Sequence, residues 1–267
     1  MTIIDVNGVC PINMVRAGPR GATPIIFLHP VGLDLTWWAD QFGDFVRDRD
    51  VIAFDMPGHG ASGTLDQPPS FEVMATALEG VIEAAEVRDA HLVGMSVGGM
   101  IAQAFALRRP ERVRSLSLVT TLCTFPDAVR ALLHERARVA RVHGMGAIAD
   151  LAKARWFTAE FRERRPDILD RVTKTLQPQD AEFHASMWDM ISNLDFESQL
   201  SKIVCPTLVV SAGEDVNAPV TAGQQIASLI SGARLKIMPG LGHFPPLEAP
   251  TDFNVLLRAF LQQAEAS

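Results

Sequence analysis

The stretch Ala90-His91-Leu92-Val93-Gly94-Met95-Ser96-Val97-Gly98 decides the fold. Residues 90–94 are a short, mostly apolar run without polar alternation, which predicts a strand buried on both faces. A Gly-x-Ser-x-Gly follows at once, and from Val97 the pattern turns helical as far as 109. Glycines on both sides of a serine let the chain reverse sharply between strand and helix without striking a neighbouring element. The serine oxygen is left exposed at the tip of a strained turn. The helix start adds free N–H groups aimed at any negative charge that develops there. A turn of this kind serves nucleophilic catalysis.

Outward from this turn, apolar runs predict further strands over 24–29, 51–55, 113–119, 206–212 and 233–238. Helical patterns lie between them, over 38–48, 71–86, 220–230 and 251–264. Strands alternating with helices imply an α/β fold, a mostly parallel sheet covered on both faces. Residues 3–15 add an antiparallel hairpin at one edge. From 124 to 194 no strand pattern appears, and the segment reads as a helical insertion. The chain thus divides into a core of 1–123 with 195–267 and a helical cap of 124–194. Residues 125–175 carry 11 Lys/Arg and 7 Asp/Glu, a local charge of +4 in a chain whose net charge is -7.

The length of 267 residues and a hydrophobic content of 48% supply a sizeable core and exclude disorder as the main state. The net charge of -7 argues against a nucleic-acid binder. Three scattered cysteines, Cys10, Cys123 and Cys205, argue against a disulfide framework and against a thiolate zinc site. With 0 Tyr, no mechanism can use a phenol as acid or oxyanion donor. No apolar run reaches the roughly 18–20 residues that span a bilayer, and no signal-peptide pattern opens the chain. A cytoplasmic protein without a membrane partner is expected.

A serine hydroxyl needs a base. On a nucleophile turn of this type the chain order is serine, acid, histidine. After Ser96 come His134, His143 and His184, all in the insertion, and His243, in the loop following the last predicted strand. His243 is the expected base, because catalytic groups of open α/β sheets collect beyond strand ends. The acid falls in Ser211-Ala-Gly-Glu-Asp215, with Asp215 preferred and adjacent Glu214 second. The segment Thr120-Thr-Leu-Cys123 has no carboxylate and offers no alternative. Two backbone N–H groups are expected to hold the oxyanion, from Val97 and from the loop His29-Pro30-Val31-Gly32. Pro30 has no N–H, which leaves Val31. Loss of one such donor typically costs ~3–4 kcal/mol of transition-state stabilisation. His59, in the glycine-rich turn Asp55-Met-Pro-Gly-His-Gly60, reads as structural.

These motifs resemble the α/β-hydrolase fold family along the whole chain and, within it, the 3-oxoadipate enol-lactonase group. The similarity lies in Gly32-Leu-Asp-Leu-Thr-Trp-Trp38, Asp55-Met-Pro-Gly-His-Gly-Ala-Ser62 and Gly94-Met-Ser-Val-Gly-Gly-Met-Ile-Ala-Gln103. Pro110-Glu-Arg-Val113, Arg155-Trp-Phe-Thr158, Pro206-Thr-Leu-Val209 and Gly213-Glu-Asp215 extend it. The resemblance implies a serine hydrolase that opens a small carboxylated lactone of aromatic catabolism, with no metal or organic cofactor. Cleavage of a small ester, of a C–C bond in ring-cleavage products, and cofactor-free perhydrolysis remain alternatives, as does a binding protein with little turnover. Epoxide hydrolases and haloalkane dehalogenases place an aspartate at the turn, so the serine disfavours both. The +4 insertion is compatible with an anionic substrate steered by charge, and Arg155 and Arg162 are candidate anchors. His29, Trp38, Trp156, Trp188 and Phe244 are candidate pocket residues, although core packing explains each aromatic equally well.

Overall fold

The computed structural model describes residues 1–6 and 8–266. Eight strands form one sheet: β1 (Thr2–Asp5), β2 (Pro11–Ala17), β3 (Ile25–Leu28), β4 (Val51–Phe54), β5 (Ala90–Met95), β6 (Val113–Val119), β7 (Thr207–Ala212) and β8 (Arg234–Met238). Their spatial order is β1-β2-β4-β3-β5-β6-β7-β8. Strands β3 to β8 run parallel, whereas β1 and β2 form the edge hairpin and β2 pairs antiparallel with β4.

Ten α-helices accompany the sheet among the described residues. They are α1 (Ala39–Phe45), α2 (Phe71–Ala84), α3 (Val97–Arg108), α4 (Asp127–Trp156), α5 (Ala159–Arg164), α6 (Pro166–Leu176), α7 (Ala181–Ser192), α8 (Val220–Leu229), α9 (Pro245–Glu248) and α10 (Pro250–Ala266). Helices α4 to α7 all fall between β6 and β7, where the sequence shows no strand pattern. The run α4 is two helical pieces joined at Gly144, whose φ of 74° takes it out of the helix. Side-chain oxygens cap three starts: Ser70 accepts from Val73 N–H, Thr158 from Phe161 N–H and Asp180 from Phe183 N–H.

The central strands are apolar throughout because both of their faces are covered. In β3, Ile26 and Leu28 belong to one core, with Met74 and Leu78 of α2 and Ile101 and Phe105 of α3. Ile25 and Phe27 belong to the other core, with Phe45 of α1 and Phe253 and Leu257 of α10. Full burial of each such side chain stabilises the fold by roughly 1.5–3 kcal/mol. The chain leaves β3 for β4 on one side and then crosses to β5 on the other. Ligands of open α/β sheets bind at such a reversal, outside the carboxyl ends of the strands.

The turn after β5 depends on close backbone approach. A Cβ at Gly98 would run into the Leu28 carbonyl of β3, and one at Gly94 into the Gly98 carbonyl. Gly146 of α4 stands in open space. Gly98→Ala is therefore expected to lower stability by at least ~1–3 kcal/mol through overpacking. Gly146→Ala should raise it by roughly 0.5–1 kcal/mol through helix propensity. Urea unfolding of the two variants checks both signs, and equal midpoints would contradict the packing argument.

Candidate active site

Ser96 sits between β5 and α3 at φ 53° and ψ -120°, a left-handed conformation for a residue with a Cβ. Its backbone is pinned from several sides. Ser96 N–H donates to Val119 O at 2.9 Å, and its carbonyl accepts from Gly99 N–H, from Met100 N–H and from the Thr121 hydroxyl at 2.7 Å. Strain of this kind persists only where the surroundings over-determine it.

His243 follows β8 and Asp215 follows β7, so both lie beyond the same ends of the strands as Ser96. The two side chains are buried and joined, with His243 Nδ1 and Asp215 Oδ2 2.7 Å apart. An ionised carboxylate can only accept, so Nδ1 carries the proton and Nε2 is left free. Asp215 Oδ1 accepts from Asn217 N–H at 2.7 Å, and His243 N–H donates to Trp156 O at 2.6 Å. Glu214, the second choice for the acid, is exposed, and among the described residues no hydrogen bond joins it to His243.

Ser96 and His243 border one cavity of about 710 Å³, which is roofed by residues of α4 and α7. Val31 also borders it, and Val97 begins α3 directly behind Ser96. Among the described residues, neither the Val31 nor the Val97 N–H donates to a protein acceptor. Both donors are thus available beside the serine.

Of the five candidate pocket residues, Trp156 and Trp188 line the cavity and three do not. Trp38 is core, with its ring 4.8 Å from Phe27 and 6.4 Å from Phe253. Phe244 lies behind His243, packed on Trp156 at 5.1 Å and Phe157 at 5.3 Å. His29 is fully buried and has both ring nitrogens occupied. Its Nδ1 donates to Pro30 O at 2.9 Å and its Nε2 accepts from Met56 N–H at 2.9 Å. Burial lowers its pKa, which keeps the ring neutral for this bridging role. His59 does similar work beside it, bonded to Pro57 O at 3.0 Å and set edge-on to His29.

Three further polar residues, Thr120, Thr121 and Glu248, also shape the site. Thr120 has a φ of 42°, and its hydroxyl donates to His243 O at 3.0 Å. With Thr121 it ties the ends of the serine and histidine segments together. The absence of a carboxylate at 120–123 hid this function. The signal was a Thr-Thr pair at the end of a strand neighbouring the serine's own. Glu248 accepts from Gly242 N–H at 3.1 Å and Phe244 N–H at 3.2 Å, clamping the histidine loop, and burial raises its pKa.

The basic charge of the insertion proves to be largely spent. The +4 of residues 125–175 falls to +1 over 127–192, where Asp180, Glu182 and Asp189 join the count. Arg141 pairs with Glu182 and Asp189, Arg138 with Glu135 and Arg165 with Asp167. Arg155 lines the cavity, whereas Arg162 does not.

The fold and this cluster define a hydrolase, and the chain belongs to the alpha/beta hydrolase family, which it matches over residues 25–255. Among individual proteins it is 28% identical to 3-oxoadipate enol-lactonase 2 of Acinetobacter baylyi, over 94% of this chain and 93% of that one. It is 29% identical to a putative carbamate hydrolase of Variovorax paradoxus, over 96% of this chain and 98% of that one. The solved enol-lactonase from Burkholderia xenovorans superposes with a TM-score of 0.92 at 29% identity, covering 98% of this chain and all of that one.

Near the cavity, α7 carries His184, whose Nε2 accepts from Trp188 Nε1–H at 3.0 Å. Burial lowers the His184 pKa from 6.5 to about 4. Between those two values the unfolded chain binds a proton that the folded chain refuses, so stability is lost as pH falls through that window. One group shifted this far contributes at most about 3 kcal/mol. His184→Gln is expected to lose less stability than the parent on acidification from neutral pH to about 4. Urea midpoints measured across the window check this, and parallel losses in parent and variant would refute it.

Proposed function

We propose that this hydrolase opens a small lactone, or cleaves a small ester, through an acyl-enzyme on Ser96. One observation carries the reading. The hydrogen bond of 2.7 Å between His243 and Asp215 fixes the imidazole, and that histidine borders the same cavity as the strained serine. His243 Nε2 takes the hydroxyl proton while Ser96 Oγ attacks the substrate carbonyl carbon. The Val31 and Val97 N–H groups receive the oxyanion. Collapse of the tetrahedral intermediate breaks the acyl–oxygen bond, and His243 returns the proton to the leaving oxygen. In a lactone that oxygen stays tethered to the acyl group. A water deprotonated by His243 then releases the hydroxy acid and restores Ser96.

Near-full-length similarity to two enol-lactonases supports a carboxylated lactone as the substrate class. The Variovorax relative supports a second reading, attack on a carbamate carbonyl by the same residues. Comparison of kcat/KM for a lactone, an ester and a carbamate of equal size separates the two.

Ser96→Ala should lower p-nitrophenyl acetate turnover by about a million-fold, as loss of such a nucleophile does. Asp215→Asn should lower it by about ten-thousand-fold through the wrong histidine tautomer. Equal rates in parent and Ser96→Ala would overturn the serine mechanism.

A further inference from the structure

Arg136 stands apart from the other arginines of α4 to α7. Its guanidinium lies over the Trp188 ring at 4.8 Å and lines the cavity that contains Ser96 and His243. Among the described residues it forms no hydrogen bond and no ion pair with any protein group. The acids around it are committed elsewhere: Glu135 to Arg138, and Asp189 and Glu182 to Arg141. Glu197, a carboxylate in the cavity wall, is exposed and accepts from Gln225.

A second cation sits beside it. Arg155 lines the same cavity, and its Nε donates to Asn217 Oδ1 at 3.1 Å while its Nη2 reaches Val216 O at 3.4 Å. Neither acceptor carries charge. A small recess of about 30 Å³ opens at the same place, bordered by Arg136, Arg155, Trp188 and His184. Two cations without a counter-ion repel each other, and burial lowers the Arg136 pKa to about 10 with Arg155 adding to the effect. A half-buried guanidinium in this position is costly unless an anion joins it.

The cation–π contact with the indole also restrains the guanidinium. The ring steadies the guanidinium, whose N–H groups have no protein acceptor among the described residues and stay free for a planar, two-oxygen partner. Trp188 itself is fixed by its bond to His184. The arrangement suits a carboxylate on the acyl side of the substrate, with the apolar cavity wall taking the carbon chain between.

We infer that Arg136 is the specificity residue of this site, reading a substrate carboxylate bidentately at the recess it shares with Arg155. The inference rests on the serine-hydrolase reading above for the identity of the reacting end. Arg155 is a framework residue: its own bonds run to the loop that carries Asp215, so it adds charge without presenting a free fork. Arg162, outside the cavity, takes no part.

The test uses two esters of equal shape, mono-p-nitrophenyl glutarate and p-nitrophenyl valerate, which differ by a terminal carboxylate against a methyl group. The parent enzyme should prefer the glutarate. Arg136→Met should raise KM for the glutarate at least about tenfold more than for the valerate, the scale of one charged hydrogen bond. Arg136→Lys should restore part of that difference. Free glutarate, titrated calorimetrically, should bind the parent more tightly than Arg136→Met by a similar factor. A parent enzyme indifferent to the carboxylate, or equal effects on both esters, overturns the assignment. If Ser96→Ala keeps full turnover, or the parent cleaves neither ester, the serine-esterase reading fails instead. Glutarate binding then still decides for or against Arg136, since equal affinity in parent and Arg136→Met overturns it.

Discussion

The site depends on one close approach of backbones, where β3, β5 and the start of α3 meet at Gly94 and Gly98. Neither position has room for a Cβ, because carbonyls of Gly98 and Leu28 already occupy it. That contact holds α3 against the end of the sheet and forces Ser96 to a φ of 53°. Held there, Ser96 borders the cavity, with the first N–H of α3 beside it. Local strain is therefore maintained by the packing of the central sheet, whose cores on both faces make the turn expensive to relax.

The helices between β6 and β7 are more than a roof. The end of α4 supplies two backbone carbonyls to the loops that carry His243 and Asp215: Trp156 O accepts from His243 N–H, and Arg155 O accepts from Asn217 Nδ2 at 2.9 Å. Asn217 in turn holds Asp215 through its own N–H. Asp215 and His243 are thus each tied both to the end of a strand and to α4. A shift of α4 relative to the sheet would pull on both members of the Asp215–His243 pair at once.

Much of this was legible in the sequence, and the reasons are physical. Strands covered on both faces give uninterrupted apolar runs, so the segment 113–119 coincides with β6 (Val113–Val119). The serine turn is legible because only glycine fits where backbones touch. His243 and Asp215 follow from chain order and from the position of loops beyond strand ends. The pocket was much less legible. An aromatic side chain gives the same apolar signal whether it faces a core or a cavity, so Trp38 and Phe244 could not be told from Trp156 and Trp188. His29 reads as a polar residue at the site, yet its position at the end of a central strand buries it completely and turns it into a bridge between loops.

Charge illustrates the same limit from another side. The sequence shows a basic insertion but not which cations are already neutralised. Folding brings Glu182 and Asp189 of α7 against Arg141 of α4, and most of the excess disappears into exposed pairs worth little individually. What distinguishes Arg136 is an unpaired guanidinium set over Trp188 in the cavity wall, a property of three-dimensional neighbourhood rather than of residue type. It lies two residues before Arg138 on α4, which moves it to another side of the helix, where it meets Trp188 instead of Glu135. A helix so placed sorts its arginines by face: Arg138 and Arg141, turned outward, meet acids and water, whereas Arg136 and Arg155 border the cavity, and of those two Arg136 keeps its N–H groups free for whatever enters.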